Sequence, residues 1–412
     1  MSRRIVIAGA GVAGATAAKT LRAAGYTGRI VLVGAEHHGP YRRPMVSKDL
    51  LANPDAAARS LLESEGSWAE RDIDLRLATT VADIDTDRRR VWLSSSEALD
   101  YDSLLLATGA QARRLEHHHH QPMRVRTLRG VADVEPLRAA IASGPLLIVG
   151  AGLVGLEVAA TARGLGASVR VLHAGSAPLD RIVPPQISDL VRDLHAEHDV
   201  LIDNDVRLAG LEQIDSEGVV ATVADGRTWH ACSALVAIGA SPDTALARTA
   251  GIAVDNGIIV DEQFRTSAPG VFAAGDCANV FTPHRDRHER SEHWNSAQAQ
   301  GAAAAKAMLG QPITGIDVPW GWSSQYGLSL QFAGWPHPHD ELVVRGSIEA
   351  RNFTALALTD GALVGAVAVG RPKDIRAARA LIAAGAVRPG SEWADESVDL
   401  VAPEPVPLPM RG

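Results

Sequence analysis

The sequence predicts an α/β protein in which one architecture occurs twice, followed by a C-terminal α+β domain. Three observations carry that expectation. The first is the turn Gly9-Ala10-Gly11-Val12-Ala13-Gly14, directly after the apolar run Ile5-Val6-Ile7-Ala8. The second is the turn Gly150-Ala151-Gly152-Leu153-Val154-Gly155, directly after Leu146-Leu147-Ile148-Val149. The third is a set of alternating segments beyond residue 319, at 342–345, 353–358 and 363–369, which read as an antiparallel sheet. Each glycine-rich turn has the form G-x-G-x-x-G between a buried strand and a helix. Its first glycine permits the tight turn, its second lets a pyrophosphate approach the backbone, and its third lets helix pack on strand. The helix N-terminus adds free N–H groups and the positive end of a dipole. Two such turns imply two Rossmann-like dinucleotide-binding domains. A chain holding two dinucleotides is expected to pass electrons between them.

In chain order, the first helix is expected over 13–24 and the next strand over 29–33, with Glu36 about 22 residues beyond Gly14. A strand over 103–106 runs into Ala107-Thr108-Gly109. The plan then repeats, with a helix over 153–164 and a strand over 168–172. It closes with Ala234-Leu235-Val236-Ala237-Ile238-Gly239, an echo of Leu104-Leu105-Leu106-Ala107-Thr108-Gly109. A helix of small residues is expected over 297–309 and a last helix over 374–384. The proline-rich tail at 403–409 reads as an exposed extension.

At 412 residues the chain exceeds what one core usually serves. Its 46% apolar and 21% charged residues are those of an ordinary globular protein. A net charge of −8 without a lysine-rich tract argues against nucleic acid as partner. The longest apolar stretch, 146–162, contains a glycine turn and Glu157, so no membrane span is expected. A strand entered by Ile5 leaves no room for a leader, and a cytoplasmic location is expected. Cys232 and Cys277 stand far apart and in no C-x-x-C pair, which argues against a redox dithiol.

The pieces Tyr41-Arg42-Arg43-Pro44-Met45-Val46-Ser47-Lys48, Ala107-Thr108-Gly109, Gly155-Leu156-Glu157-Val158-Ala159-Ala160, Ala273-Ala274-Gly275-Asp276-Cys277 and Trp320-Gly321-Trp322-Ser323-Ser324-Gln325-Tyr326 occur in that order. Together they resemble the FAD-dependent, NAD(P)H-using ferredoxin reductases that serve bacterial oxygenases and cytochromes P450. The resemblance covers nearly the whole chain. It implies a glutathione-reductase-like fold with an FAD-binding domain in two parts (1–112 and 242–318), an NAD(P)H-binding domain (113–241) and a C-terminal domain (319–412).

The resemblance also implies site residues. Gly9, Gly11, Ala13 and Gly14 would cradle the FAD pyrophosphate, and Gly275 and Asp276 the ribityl chain. Glu36 would take the ribose, in place of an aspartate that the family carries at the Ala35 position. Arg43, Val81, Ala107, Thr108, Gly109, Arg129, Glu292, Trp294 and Trp322 are the further FAD contacts it suggests, and Trp320 and Trp322 would shield the flavin or conduct electrons outward. Lys48, one of four lysines, would lie by the flavin ring and pair with Glu157. A cation there stabilises reduced flavin, and no general acid or base is required for hydride transfer.

Gly150, Gly152, Leu153, Val154, Gly155, Glu157 and Gly239 would hold the nicotinamide cofactor. The family tends to have Glu or Asp at the end of the second strand, where this chain has His173. NADH is the expected donor. NADPH stays open, with Arg181 the nearest candidate to recruit a 2′-phosphate. With no cysteine near 41–48, electrons are expected to leave the flavin directly, to a [2Fe–2S] ferredoxin that serves a cytochrome P450 or ring-hydroxylating oxygenase. Arg71, Arg285, Arg287, Arg290, Arg371, Lys373, Arg376 and Arg379 are candidates for a basic docking face. A reductase of quinones or other small acceptors and a non-catalytic redox sensor are the alternatives. The run His117 to His120 reads as a solvated loop insertion.

Overall fold

A computed structural model describes residues 3–64, 66–115, 124–214, 218–282, 285–313, 318–334 and 340–401. The histidine run at 117–120 and the tail at 403–409 lie outside the described residues. The chain divides into two compact units. One comprises Met1–Pro44, Asp55–Gln111 and Ala240–Gly315; the other comprises Met45–Pro54, Ala112–Gly239 and Ile316–Gly412.

The first unit is built on a parallel five-stranded sheet in the order Val271–Ala273, Ser103–Leu106, Arg4–Ala8, Arg29–Val33, Ile73–Arg76. Val6, Ile7, Leu104, Leu105 and Leu32 are fully buried, as both faces of a parallel sheet require. Helix Val12–Ala23 follows the first strand and buries Ala15, Ala17, Ala18 and Leu21. Helix Trp294–Met308 crosses it closely; a Cβ on Gly301 would stand 2.2 Å from the Ala13 carbonyl oxygen. The small residues noticed at 297–309 serve that approach, and the helix begins three residues earlier than expected.

The second unit contains the repeat. Its sheet runs Leu201–Asp203, Val169–Leu172, Leu146–Val149, Ser233–Val236, Val125–Arg126, again parallel. Helix Leu153–Gly164 occupies the place that Val12–Ala23 holds in the first unit. The same unit carries the expected antiparallel sheet, ordered Trp320–Gln325, Leu328–Gly334, Ala362–Val369, Asn352–Thr359, Glu341–Ser347. Helix Pro372–Ala383 covers it through Ile375, Ala378 and Leu381, beside the fully buried Trp393. Strands Trp320–Gln325 and Leu328–Gly334 are joined by Tyr326 and Gly327, with φ of 50° and 81°. Positive φ at both central residues is the tight hairpin turn that suits the strand twist.

Candidate functional site

The two glycine turns are the same object built twice. A Cβ on Gly9 would stand 2.0 Å from the Ala107 carbonyl oxygen, and one on Gly150 would stand 2.3 Å from that of Ala237. A Cβ on Gly14 would meet the Gly9 oxygen at 2.0 Å, and one on Gly155 the Gly150 oxygen at 2.1 Å. The Ala107 N–H donates to Ala8 and the Ala237 N–H to Val149, each at 2.8 Å. The outer glycines of both turns are therefore dictated by the fold itself.

The middle glycines are not. Gly11 and Gly152 have φ of −68° and −81°, which any residue adopts, and a Cβ on either meets nothing within 4 Å. Each is the N-cap of its helix without a side-chain cap, so the first N–H groups are left for a partner from outside. Val154, on the first turn of the second helix, is 42% exposed despite its apolar side chain. Open space at the middle glycine and uncapped N–H groups are what a pyrophosphate fills, and both turns fit one.

Within the first unit Glu36 is held rather than free. Arg43 Nη2 donates to its Oε1 at 2.6 Å and the Tyr41 hydroxyl to its Oε2 at 2.8 Å. Burial alone would raise the Glu36 carboxyl, but the Arg43 charge and these hydrogen bonds outweigh it and hold it below the usual range. Two of the carboxylate's four lone-pair sites remain for ribose hydroxyls. Val81 follows the segment in which Ala78 donates to the Glu36 carbonyl and Thr79 to that of Gly34, each at 3.0 Å. The Thr108 hydroxyl donates to the Asp243 carbonyl at 2.6 Å, and Gly109 has φ of 75°. The Gly275 N–H donates to Gln300 Oε1 at 2.8 Å, and Asp276 beside it is buried. Glu292 pairs with Arg290 at 2.6 Å, and Trp294 opens its helix half-buried. Arg290 Nε, Ser291 Oγ, Asn295 Nδ2 and Ser296 Oγ are buried here without a hydrogen-bond partner. Such orphaned polar atoms call for a polar ligand, and FAD suits them.

Lys48, Glu157, Arg129 and Trp322 belong to the second unit. Glu157 is 5% exposed on helix Leu153–Gly164, and three donors converge on it. Lys48 Nζ and Ser47 Oγ reach Oε2, the latter at 2.5 Å, and Ser323 Oγ reaches Oε1 at 2.8 Å. The segment that carries them is itself clamped: Thr161 donates to the Ser47 carbonyl at 2.8 Å, and Arg138 to that of Leu51 at 3.0 Å. Strand Trp320–Gln325 alternates, turning Gly321, Ser323 and Gln325 inward and Trp320, Trp322 and Ser324 outward. The two indoles lie 6.1 Å apart, with the Arg379 guanidinium 5.0 Å over Trp320. The Arg129 N–H is tied to Asp133 at 2.8 Å.

Sequence reasoning missed what lies behind Ser323. Gln325 Nε2 donates to Ser323 Oγ at 3.0 Å, so its amide oxygen faces His195 Nε2 at 2.8 Å. That nitrogen must carry the ring proton, leaving Nδ1 to accept from the Tyr326 hydroxyl at 3.2 Å. His198 stacks on Tyr326 at 3.8 Å, and burial raises the Tyr326 phenol against the opposing charge of Arg163. A file of donors thus runs from Tyr326 through His195, Gln325 and Ser323 to Glu157. Spacing at positions 323 and 325 on one strand face was the available signal. His195 gave none: it occupies an inward position on helix Pro185–Ala196 among apolar residues.

In the nucleotide turn, His173 Nδ1 accepts from the Ala151 N–H at 3.3 Å, while Arg181 is exposed. Gly239 has φ of 105°, and its carbonyl accepts from Arg113 at 2.9 Å. Cys277 is fully buried and burial raises its thiol; Cys232 is half-buried and free. Among the described residues no group of acidic, histidine and cysteine side chains is set to hold a metal. No helix among them is long and apolar enough to cross a membrane.

The two kinds of glycine separate binding from folding. Gly11→Val is expected to leave the melting temperature of the flavin-free protein unchanged while flavin absorbance per protein collapses. Gly14→Val should destabilise that same protein by several kcal/mol, since its side chain meets a backbone oxygen. A common loss of stability in both would remove the distinction. His195 sets a second expectation. Burial lowers it to about 4 from 6.5, against the Gln325 hydrogen bond, so the unfolded chain takes up a proton that the folded one refuses. Stability should therefore rise by on the order of 3 kcal/mol as pH climbs through that window. His195→Gln should flatten the slope in urea titrations across it.

The chain matches the pyridine nucleotide-disulphide oxidoreductase family over residues 3–301 and a reductase C-terminal domain over residues 320–402. It is 37% identical over 400 residues to the benzene 1,2-dioxygenase system ferredoxin–NAD(+) reductase subunit of Pseudomonas putida, covering 96% of each chain. It is 34% identical over 402 residues to putidaredoxin reductase of the same species, covering 96% of this chain and 95% of that one. Its fold superposes on putidaredoxin reductase, as seen in a covalent complex with putidaredoxin, with a TM-score of 0.92 at 33% identity over 97% of each chain. The ferredoxin reductase for the CYP199A2 system from Rhodopseudomonas palustris gives the same TM-score at 32% identity, covering 96% of this chain and 98% of that one. The doubled glycine turn, the antiparallel C-terminal sheet and these matches agree: the chain belongs to the pyridine nucleotide-disulphide oxidoreductase family, with the reductase-type C-terminal domain.

Proposed function

We propose that this protein is an FAD-dependent ferredoxin reductase that takes hydride from NADH and delivers single electrons to a [2Fe–2S] ferredoxin of an oxygenase or cytochrome P450 system. The observation that carries the reading is two open dinucleotide turns in a chain without an accessible redox thiol pair: Cys277 is sealed in the core and Cys232 stands elsewhere. Relatives aligned over 96% of the chain are a dioxygenase-system ferredoxin–NAD(+) reductase subunit and putidaredoxin reductase. Bound FAD would supply the step from two-electron hydride chemistry to one-electron delivery.

The chain's residues divide the work as follows in this reading. Parts 1–112 and 242–318 hold FAD, through Gly9, Gly11, Ala13, Gly14, Glu36, Arg43, Val81, Ala107, Thr108, Gly109, Gly275, Asp276, Glu292 and Trp294. Part 113–241 holds the nicotinamide cofactor, through Gly150, Gly152, Leu153, Val154, Gly155, Glu157, His173, Arg181 and Gly239, and adds Arg129 to the FAD set. Part 319–412 adds Trp322. Lys48, oriented by Glu157, is the cation that favours reduced flavin. Reduced nicotinamide is a cytoplasmic currency, and the cytoplasm is the location this reading assigns.

The docking face narrows. Arg290 pairs with Glu292 and Arg371 with Glu396, while Arg285 and Arg287 share Glu289 and Arg71 shares Glu63 with Lys19, so their charge is offset in whole or in part. Lys373 and Arg376 are exposed on one helix, and they are the residues we assign to an acidic ferredoxin.

Lys48→Gln is expected to slow flavin reduction by NADH by about 10–100-fold and to lower the flavin midpoint potential, measured by stopped flow and by dye-linked titration. An unchanged potential would detach Lys48 from the flavin. Cytochrome c reduction with NADH should require added [2Fe–2S] ferredoxin, and Lys373→Glu with Arg376→Glu should raise the ferredoxin KM about tenfold at low salt. Fast turnover indifferent to ferredoxin would mean a small-molecule acceptor instead.

A further inference from the structure

We infer that Asp180, and not the residue at the end of the second strand, makes this protein choose NADH over NADPH; the inference rests on the nicotinamide-binding part of the reading above. Selection against a 2′-phosphate ordinarily needs a carboxylate at the end of the second strand, where the ribose hydroxyls lie. That place holds His173, directly after strand Val169–Leu172. The geometry returns the missing carboxylate from seven residues further on: Asp180 Oδ2 stands 3.7 Å from His173 Nε2.

The arrangement is fixed to the dinucleotide turn from both sides. His173 Nδ1 accepts from the Ala151 N–H at 3.3 Å, so the ring proton is on Nε2, facing Asp180. Leu179, buried and with φ of 58°, donates its N–H to the Ala151 carbonyl at 3.0 Å. Residue 151 therefore anchors both the histidine and the backbone immediately before the aspartate. The Asp180 N–H donates to Ala177 at 3.3 Å, and Ser188 Oγ donates to the Pro178 carbonyl at 2.5 Å, closing the loop on helix Pro185–Ala196. Gly175 leaves the room: a Cβ there would stand 2.0 Å from Asp180 Oδ2 and 2.6 Å from His173 Nε2. His173 Nε2 is buried and makes no hydrogen bond, because 3.7 Å is too long for one. A ribose hydroxyl reaching the partly exposed Asp180 carboxylate would donate to it, beside the buried imidazole. A phosphate ester in that place would meet a second negative charge instead, the repulsive element by which specificity is commonly set. Arg181, adjacent in sequence, is exposed and pairs with neither.

The test compares the flavin-loaded wild type with Asp180→Asn, and with Asp180→Asn carrying His173→Glu. Asparagine keeps the size that Gly175 accommodates. Calorimetry with NAD+ and NADP+ reads binding, and single-turnover bleaching of the flavin by NADH and NADPH reads use; neither involves ferredoxin. Wild type is expected to favour the NAD form by at least about tenfold. Asp180→Asn should narrow that ratio about tenfold, chiefly through tighter NADP+, and His173→Glu should restore it. Wild-type preference for NADP+, a ratio unmoved by Asp180→Asn, or a narrowing due only to weaker NAD+ would overturn the assignment. Loss of ferredoxin reduction with these ratios intact would count against the electron acceptor and leave Asp180 standing.

Discussion

A carboxylate buried to 5% exposure is the constraint around which the second unit is organised. Glu157 sits on a helix dictated by a glycine turn, in a position that would ordinarily hold an apolar residue. Removing an ion from water costs several kcal/mol unless charge and hydrogen bonds replace the lost hydration. Three pieces of chain distant in sequence answer that demand. Residues 47 and 48 bring a hydroxyl and an ammonium, strand Trp320–Gln325 brings a second hydroxyl, and helix Pro185–Ala196 supports that strand through His195. The short segment Met45–Pro54 groups with the second unit although it is flanked by the first, and its hold on Glu157 and Arg138 is the physical reason.

The sequence made the doubled architecture legible because parallel strands buried on both faces leave continuous apolar runs, and because a glycine dictated by a backbone clash cannot be replaced. Gly9, Gly14, Gly150 and Gly155 announce themselves for that reason. The pairing of Lys48 with Glu157 came from resemblance and is present in the geometry. Helix ends were less legible: 297 looked like a start because alanines begin there, whereas Trp294 opens the helix.

The interior polar file was illegible for a different reason. Spacing puts Ser323 and Gln325 on one strand face, but their link to His195 depends on a third dimension that spacing does not report. Asp180 illustrates the same limit. A reader looking for an acid at position 173 finds histidine and concludes that the charge is missing, when a left-handed residue at 179 and a glycine at 175 fold it back into place.

The orientation of Gln325 has a consequence for how the buried ion pair experiences its surroundings. Protons travel along hydrogen-bonded files by each group accepting on one side and releasing on the other. A carboxamide does this only through a high-energy tautomer, so the file behind Ser323 conducts alignment but not protons. Tyr326 and His198 stand at its outer end, and a proton arriving at them stops at the amide. Relay along this route therefore ends at Gln325, and what passes beyond it to Ser323 and Glu157 is orientation alone.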